Sequence, residues 1–339
     1  MKVLFLDGTA AYSPHRLKEK ACGGIVTSLT LLPRLLARKG FDVTVASGYD
    51  KAETVENVKH VTSLEGITPD VVVLNRNVLS HGLLDRFKGS KFIWWLHDIV
   101  DYRYLEDDSY TRVDKVVSLS DYCTDSYADF YGIPTEKFIK ISNGVDKNIF
   151  HNRREKQNKN LFLCASAPIK GLYPIEFTFL NLKRMNPDIE LRLYTSQKLH
   201  DLENGESVDK QLSRLKEIGI KVLDPIPQHE LADVMREARG LLMPNHYPEI
   251  CSNTLLQARA CGLPVIGTGI GSAEEFLWEV QTTGTKPHDM YWWWKEFATL
   301  TAKLMTSDSW FTELSELAPK GVMSWDQVGE KWDEMLRGL

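Results

Sequence analysis

The chain has 339 residues, 43% of them hydrophobic and 26% charged, and its 46 acidic against 41 basic side chains leave a formal net charge of -5. A chain of this length exceeds what one hydrophobic core usually supports, so two domains of about 150 to 170 residues are expected. Its ordinary composition, without repeats or low-complexity tracts, excludes a disordered or fibrous protein. The acidic balance, with a pI near 6.0, argues against nucleic acid as a partner and against a broad surface for anionic lipid.

The cysteines Cys22, Cys123, Cys164, Cys251 and Cys261 are odd in number and include no CxxC pair. Neither a disulfide framework nor a zinc site is indicated, which suits a reducing compartment. The N-terminal "MKVLFLDG" is too short for the apolar region of a signal peptide, and no stretch approaches the roughly 18 apolar residues of a spanning helix. A cytoplasmic location is therefore expected, with peripheral docking on a membrane face left open.

In chain order, strands are predicted at "VLFLD" (3 to 7), "DVTVAS" (42 to 47), "DVVVLN" (70 to 75), "KFIWWLH" (91 to 97) and "KVVSLS" (115 to 120), with a helix over about 24 to 39. Continuous apolar strands separated by helices point to a parallel sheet covered on both faces. The first domain is thus read as residues 1–145. A polar, basic and aperiodic stretch over 146–160, including His151-Asn152-Arg153-Arg154, reads as a solvated linker.

A second alternating series follows in "LFLCAS" (161 to 166), "IELRLYTS" (189 to 196), "IKVLD" (220 to 224), "RGLLMP" (239 to 244) and "LPVIGT" (263 to 268). It defines a second α/β domain over 161–320. The remaining 321–339 reads as a C-terminal helix packing back toward the first domain. Two doubly wound domains in tandem are expected to face their carboxyl strand ends toward each other across a cleft, where ligands of such sheets bind.

The loops after the strands hold the candidate chemistry. Gly23-Gly24 at a helix start would let a phosphate or sugar approach backbone N–H groups, and an ordinary tight turn would use the same residues. Lys170, in "SAPIKGL", can set its ammonium against a diphosphate; a plain surface lysine fits the same pattern. Glu249 opens "PEICSNTLLQARACGLPVI" (248 to 266), where Glu249, Asn253 and Gln257 recur at steps of four, as on one face of a helix starting near Cys251. Its carboxylate could grip a sugar hydroxyl or simply cap the helix. His97 ends a strand and should reach the cleft, or be satisfied by a local backbone bond.

Weaker signals are "GTGIGS" (267 to 272), a loose dinucleotide pattern, and "EDD" (106 to 108), a solvated acidic turn rather than a metal loop. Asn75, Arg76 and Asn77 of "LNRN" are candidates to meet an acceptor. The aromatic run "YWWWK" (291 to 295) suits packing of a returning helix or a lipid interface. No HExxH, GxSxG or Walker A pattern occurs.

Taken together these stretches resemble the family 4 glycosyltransferases, the retaining nucleotide-sugar enzymes of the GT-B fold. Gly23-Gly24 resembles the family's glycine loop and "SAPIKGL" its basic loop. "YGIPTEKFIKISNGVD" (131 to 146) is similar to its end of the first domain, "PEICSNTLLQARACGLPVI" to its paired-glutamate helix, and "SWDQVGEKWDEML" (324 to 336) to its closing helix.

The resemblance implies two Rossmann-like domains that close around a nucleotide diphosphate sugar, UDP- or GDP-linked. It further implies transfer of a hexose, with retention, to a hydroxyl of a glycan, lipid or glycoprotein precursor, with no metal and no other cofactor. By the same resemblance Gly23, Gly24 and Lys170 hold the diphosphate, His97 approaches the donor sugar and Glu249 contacts its hydroxyls. It also implies that the amides of Ile250, Cys251 and Ser252 complete the anion site and that Gln257 binds the ribose, while Asn253, a donor-side candidate, takes no role beyond its place in the same first turn.

Two departures stand out: Ala165 and Ser166 occupy the place of the family's arginine, and Gln257 replaces its second glutamate. They keep two alternatives in view, another GT-B enzyme such as a nucleotide-sugar epimerase or a phosphorylase, and a donor-binding relative with weakened catalysis.

Overall fold

The computed structural model describes residues 1–8, 11–76, 79–100, 108–152, 157–196, 204–277 and 290–339. The chain divides into two compact units. The first takes Met1–Lys18, Gly24–Gly144 and Met323–Leu339; the second takes Glu19–Gly23 and Val145–Val322. Arg153, Arg154, Asn77, Glu106 and Asp107 lie outside the described residues.

The first unit is built on an eight-stranded sheet. Its strands are β1 (Lys2–Leu6), β2 (Asp42–Ala46), β3 (Glu53–Val55), β4 (Val58–His60), β5 (Val71–Asn75), β6 (Lys91–Trp95), β7 (Lys115–Ser118) and β8 (Phe138–Lys140). They lie in the order β3-β4-β2-β1-β5-β6-β7-β8, all parallel except the β3–β4 hairpin. Every residue of β5 is buried, as a central strand covered on both faces requires.

The C-terminal helix Trp325–Arg337 belongs to this first unit. Ser324 and Gln327 start it with a reciprocal capping box: the Ser324 hydroxyl accepts from the Gln327 amide at 3.2 Å, and the Gln327 side chain accepts from the Ser324 amide at 2.8 Å. Val328, Trp332, Met335 and Leu336 recur at helical spacing and are buried. Trp332 packs 5.0 Å from Trp95 and 6.2 Å from Phe5, centroid to centroid. Removing such a side chain typically costs about 3–5 kcal/mol.

The second unit carries a five-stranded parallel sheet of β9 (Leu161–Ala165), β10 (Glu190–Tyr194), β11 (Lys221–Leu223), β12 (Gly240–Met243) and β13 (Val265–Gly267), ordered β11-β10-β9-β12-β13. β9 and β12 are neighbours although 74 residues lie between their ends, Ala165 and Gly240, in sequence. That adjacency brings the loops after these two interior strands together at the carboxyl-terminal end of the sheet.

Buried arginines secure the outer helices of this unit. Arg259 donates to the carbonyls of Ala318 (2.8 Å), Phe276 (2.6 Å) and Lys320, and burial lowers its pKa to about 10. Within the aromatic run "YWWWK", Trp294 lies on the helix Met290–Thr306 and sits 6.5 Å from Phe177 of the helix Tyr173–Met185. Among the described residues, no helix is long and apolar enough to cross a membrane.

Candidate active site

Lys170 lies at the end of a short turn, Pro168–Lys170, that follows β9. Gly171 after it has φ +111, a conformation that side chains disfavour. A Cβ there would meet His246 Nδ1 at 2.3 Å and the Pro244 carbonyl at 3.2 Å. The glycine lets the loop after β9 press against the loop after β12, and the His246 amide locks the contact by donating to the Lys170 carbonyl at 2.9 Å.

This contact aims the Lys170 ammonium at Glu249. Its Nζ donates to both carboxylate oxygens, at 2.8 and 2.9 Å. Asn245 Nδ2 adds a third hydrogen bond to Oε1 at 2.6 Å. Glu249 is only 6% exposed, whereas the Lys170 side chain is 29% exposed. The charge that reaches solvent at this edge is therefore the lysine's, with the carboxylate tucked behind it.

Glu249 does not sit on the helix that its spacing to Asn253 and Gln257 suggested. The helix spans Asn253–Ala260, with Ser252 as its N-cap accepting from the Leu255 amide at 3.5 Å. Glu249 instead forms an isolated parallel bridge with Gly271, and the Ser272 amide donates to its carbonyl at 2.7 Å. Local spacing misplaced it because the cap, three residues farther on, decides where helical hydrogen bonding begins.

That bridge gives "GTGIGS" a structural role. Gly271 has φ +67, and a Cβ on it would lie 2.5 Å from the Glu249 carbonyl oxygen and 2.7 Å from its amide nitrogen. Both obstacles are backbone, so the glycine is what allows the 267–272 loop to buttress Glu249. Thr268 in the same loop donates its hydroxyl to the Asn245 carbonyl. Asn245 and Gly271 escaped the sequence reading; the asparagine directly after the β12 run and the glycine pair 269 and 271 were the available signals.

Among the other expected residues of the second unit, Ile250 and Gln257 are buried at 6% and 9% exposure, and Cys251, Ser252 and Asn253 are half-buried. The first turn of the Asn253–Ala260 helix presents the positive end of its dipole four residues beyond Glu249. Gly23 falls in the second unit, while Gly24 opens the helix Gly24–Arg38 of the first.

His97 follows β6 in the first unit. Its ring packs 4.3 Å from that of Trp95, and Nε2 has no hydrogen-bond partner among the described residues. Burial, reinforced by the nearby Arg76 charge, lowers its pKa to about 3, so the imidazole is neutral at physiological pH. Arg76 adopts φ 57 directly after β5 and pairs with Asp98. Trp94 Nε1 donates to the Arg76 carbonyl at 2.6 Å. Asn75 is fully buried, and neither side-chain polar atom has a protein partner among the described residues.

Comparison with known proteins supports the sequence-level resemblance. Residues 167–289, which include Lys170, Glu249 and Gly271, match the family model described as glycosyl transferases group 1. A Frankia alni protein named D-inositol 3-phosphate glycosyltransferase is 26% identical over 159 residues, covering 42% of this chain and 39% of that protein. The match thus spans about two fifths of that relative's length.

Among solved structures, sucrose-phosphate synthase from Thermosynechococcus elongatus superposes with a TM-score of 0.76 at 13% identity, over 100% of this chain and 98% of that one. Anabaena HepE, in complex with UDP and glucose, gives 0.73 at 16% identity over the whole of both chains. The fold is GT-B.

Proposed function

We propose that the chain is a retaining glycosyltransferase that moves a hexose from a UDP- or GDP-linked sugar to an acceptor hydroxyl of a glycan, lipid or glycoprotein precursor, without a metal. The carrying observation is the Lys170–Glu249–Asn245 cluster, assembled from the loops after β9 and β12 and lying inside the stretch that matches the glycosyltransferase family. Solved structures of similar fold point the same way, having been determined with UDP, UDP-glucose or ADP bound.

The geometry suits this chemistry. A diphosphate drawn to the partly exposed Lys170 ammonium and to the start of the Asn253–Ala260 helix would have its leaving charge met by a fixed cation and a helix dipole. Glu249, when Lys170 turns to phosphate, is left with Asn245 as its support and an oxygen open to a sugar hydroxyl. Gln257 can accept a ribose hydroxyl hydrogen bond and also donate one.

Transfer from UDP-glucose and GDP-mannose to a panel of glycan acceptors, with the product's anomeric configuration read by NMR, tests the reading. Retained configuration and loss of transfer in Lys170→Ala and Glu249→Ala are expected; full activity in both variants overturns the site. A second reading, donor binding with weakened catalysis, is favoured by Ala165 and Ser166 where the family has an arginine and by Gln257. Calorimetric donor binding without turnover on any acceptor would select it.

A further inference from the structure

The first unit holds a cavity of about 540 Å³ over the carboxyl ends of β1 and β2, within the roughly 300–1,000 Å³ range of small-molecule sites. Every residue lining it belongs to that unit. Asp7 and Asp50 bring two carboxylates to its lining, Thr62 and Ser63 bring hydroxyls, and Tyr49, whose hydroxyl bonds the Glu53 carboxylate, and Leu64 bring ring and apolar surface. No lysine, arginine or histidine lines it among the described residues.

Asp7 is 4% exposed and its amide donates to the Ala46 carbonyl at 3.0 Å, which fixes the backbone at the inner wall. Behind it Tyr12 is buried, its phenol pushed well up in pKa by burial first and by the Asp7 charge second. Asp50 is exposed at the rim. A cavity so lined offers acceptors for several hydroxyl donors and an aromatic ring for sugar C–H groups. A phosphate or carboxylate entering it meets two like charges and no cation to offset them, and each close like charge weakens binding by roughly tenfold at a protein surface.

We infer that this cavity receives the sugar acceptor and selects an uncharged polyol unit, excluding rings that bear phosphate or carboxylate. Its role as an acceptor site rests on the glycosyltransferase reading; its ligand preference does not. The leaving diphosphate chemistry and the acceptor chemistry are then divided between units, cationic in one and anionic in the other.

Saturation-transfer NMR and calorimetry on the full chain test this with glucose, mannose, galactose, N-acetylglucosamine and myo-inositol, each against its monophosphate. At least one neutral probe is expected to bind with a millimolar Kd and its phosphate at least 30-fold more weakly. Asp50→Lys, a rim substitution, should narrow that gap to under fivefold, and Thr62→Trp, which fills the cavity, should abolish neutral-sugar binding. UDP titrated into the same samples reports on the second unit and should be unchanged in both variants.

The proposal is overturned if no neutral probe binds, if a phosphate binds as tightly as its parent, or if Thr62→Trp or Asp50→Lys leaves these affinities unaltered. Failure of the glycosyltransferase reading would instead appear as absent donor binding or transfer, with the sugar titrations intact.

Discussion

The two units use the carboxyl ends of their parallel sheets in opposite electrical senses. In the second, the loops after β9 and β12 present an ammonium backed by a buried carboxylate. In the first, the loops after β1 and β2 present carboxylates and hydroxyls, with no cation lining the cavity among the described residues. The same architecture thus yields an anion-seeking edge and an anion-rejecting one, and the difference is carried by a few loop side chains rather than by the sheets.

The strongest way to break this contrast is to remove the cation. Lys170→Ala should lower kcat/KM for transfer by about 10²–10³-fold, the usual loss of one preorganised charge donor, and weaken UDP-glucose in calorimetry while leaving first-unit sugar binding untouched. An equal loss of both would mean that the variant acts on folding rather than on the donor edge.

Gly271→Ala attacks the same edge through the backbone. With an added Cβ placed 2.5 Å from the Glu249 carbonyl oxygen, the loop must shift, and a displacement near 1 Å at a reacting group can cost about 100-fold in rate. A fall in kcat/KM with UDP affinity held within about threefold is expected. It should be accompanied by a loss of about 2 kcal/mol in urea unfolding, a magnitude typical of strained backbone substitutions.

A pH experiment probes the first unit. His97 has a folded pKa of about 3 against 6.5 unfolded, so as pH falls below 6.5 the unfolded chain takes up a proton that the folded chain refuses. Stability contributed by the neutral ring is full above pH 6.5 and declines toward pH 3, with a slope of at most about 1.4 kcal/mol per pH unit. His60, also lowered by burial, acts in the same direction. Urea unfolding of His97→Gln between pH 7.5 and 5 should show a shallower decline than the parent chain; an identical slope would remove His97 from this role.

The smallest effect is expected at Gln257→Glu. Charge-assisted hydrogen bonding to a ribose hydroxyl should tighten UDP-glucose by about threefold, read by calorimetry. A weaker donor complex would mean that burying a carboxylate at this 9%-exposed position outweighs the stronger bond.

Legibility of the fold followed the strength of local signals. β5 and β9 are runs of apolar residues buried on both faces and were readable as such. The β3–β4 hairpin was missed. Its turn uses Glu56 and Asn57, both at positive φ, where the usual sequence cue is Asn-Gly or Asp-Gly, and its strands are three residues each. The three-residue β8 escaped for the same want of length.

By itself the sequence determined that the chain alternates strands and helices in two series, and which loop residues carry charge, because period and residue type are local properties. Only the tertiary structure decided that Lys170 meets Glu249 across 79 residues, that Gly271 rather than a helix holds that glutamate, and that Asp7 and Asp50 line one cavity. The reason is strand order: β9 lies beside β12, and β1 beside β2. Adjacency in a sheet is set by how the faces bury together, a property of the whole unit that no single segment contains.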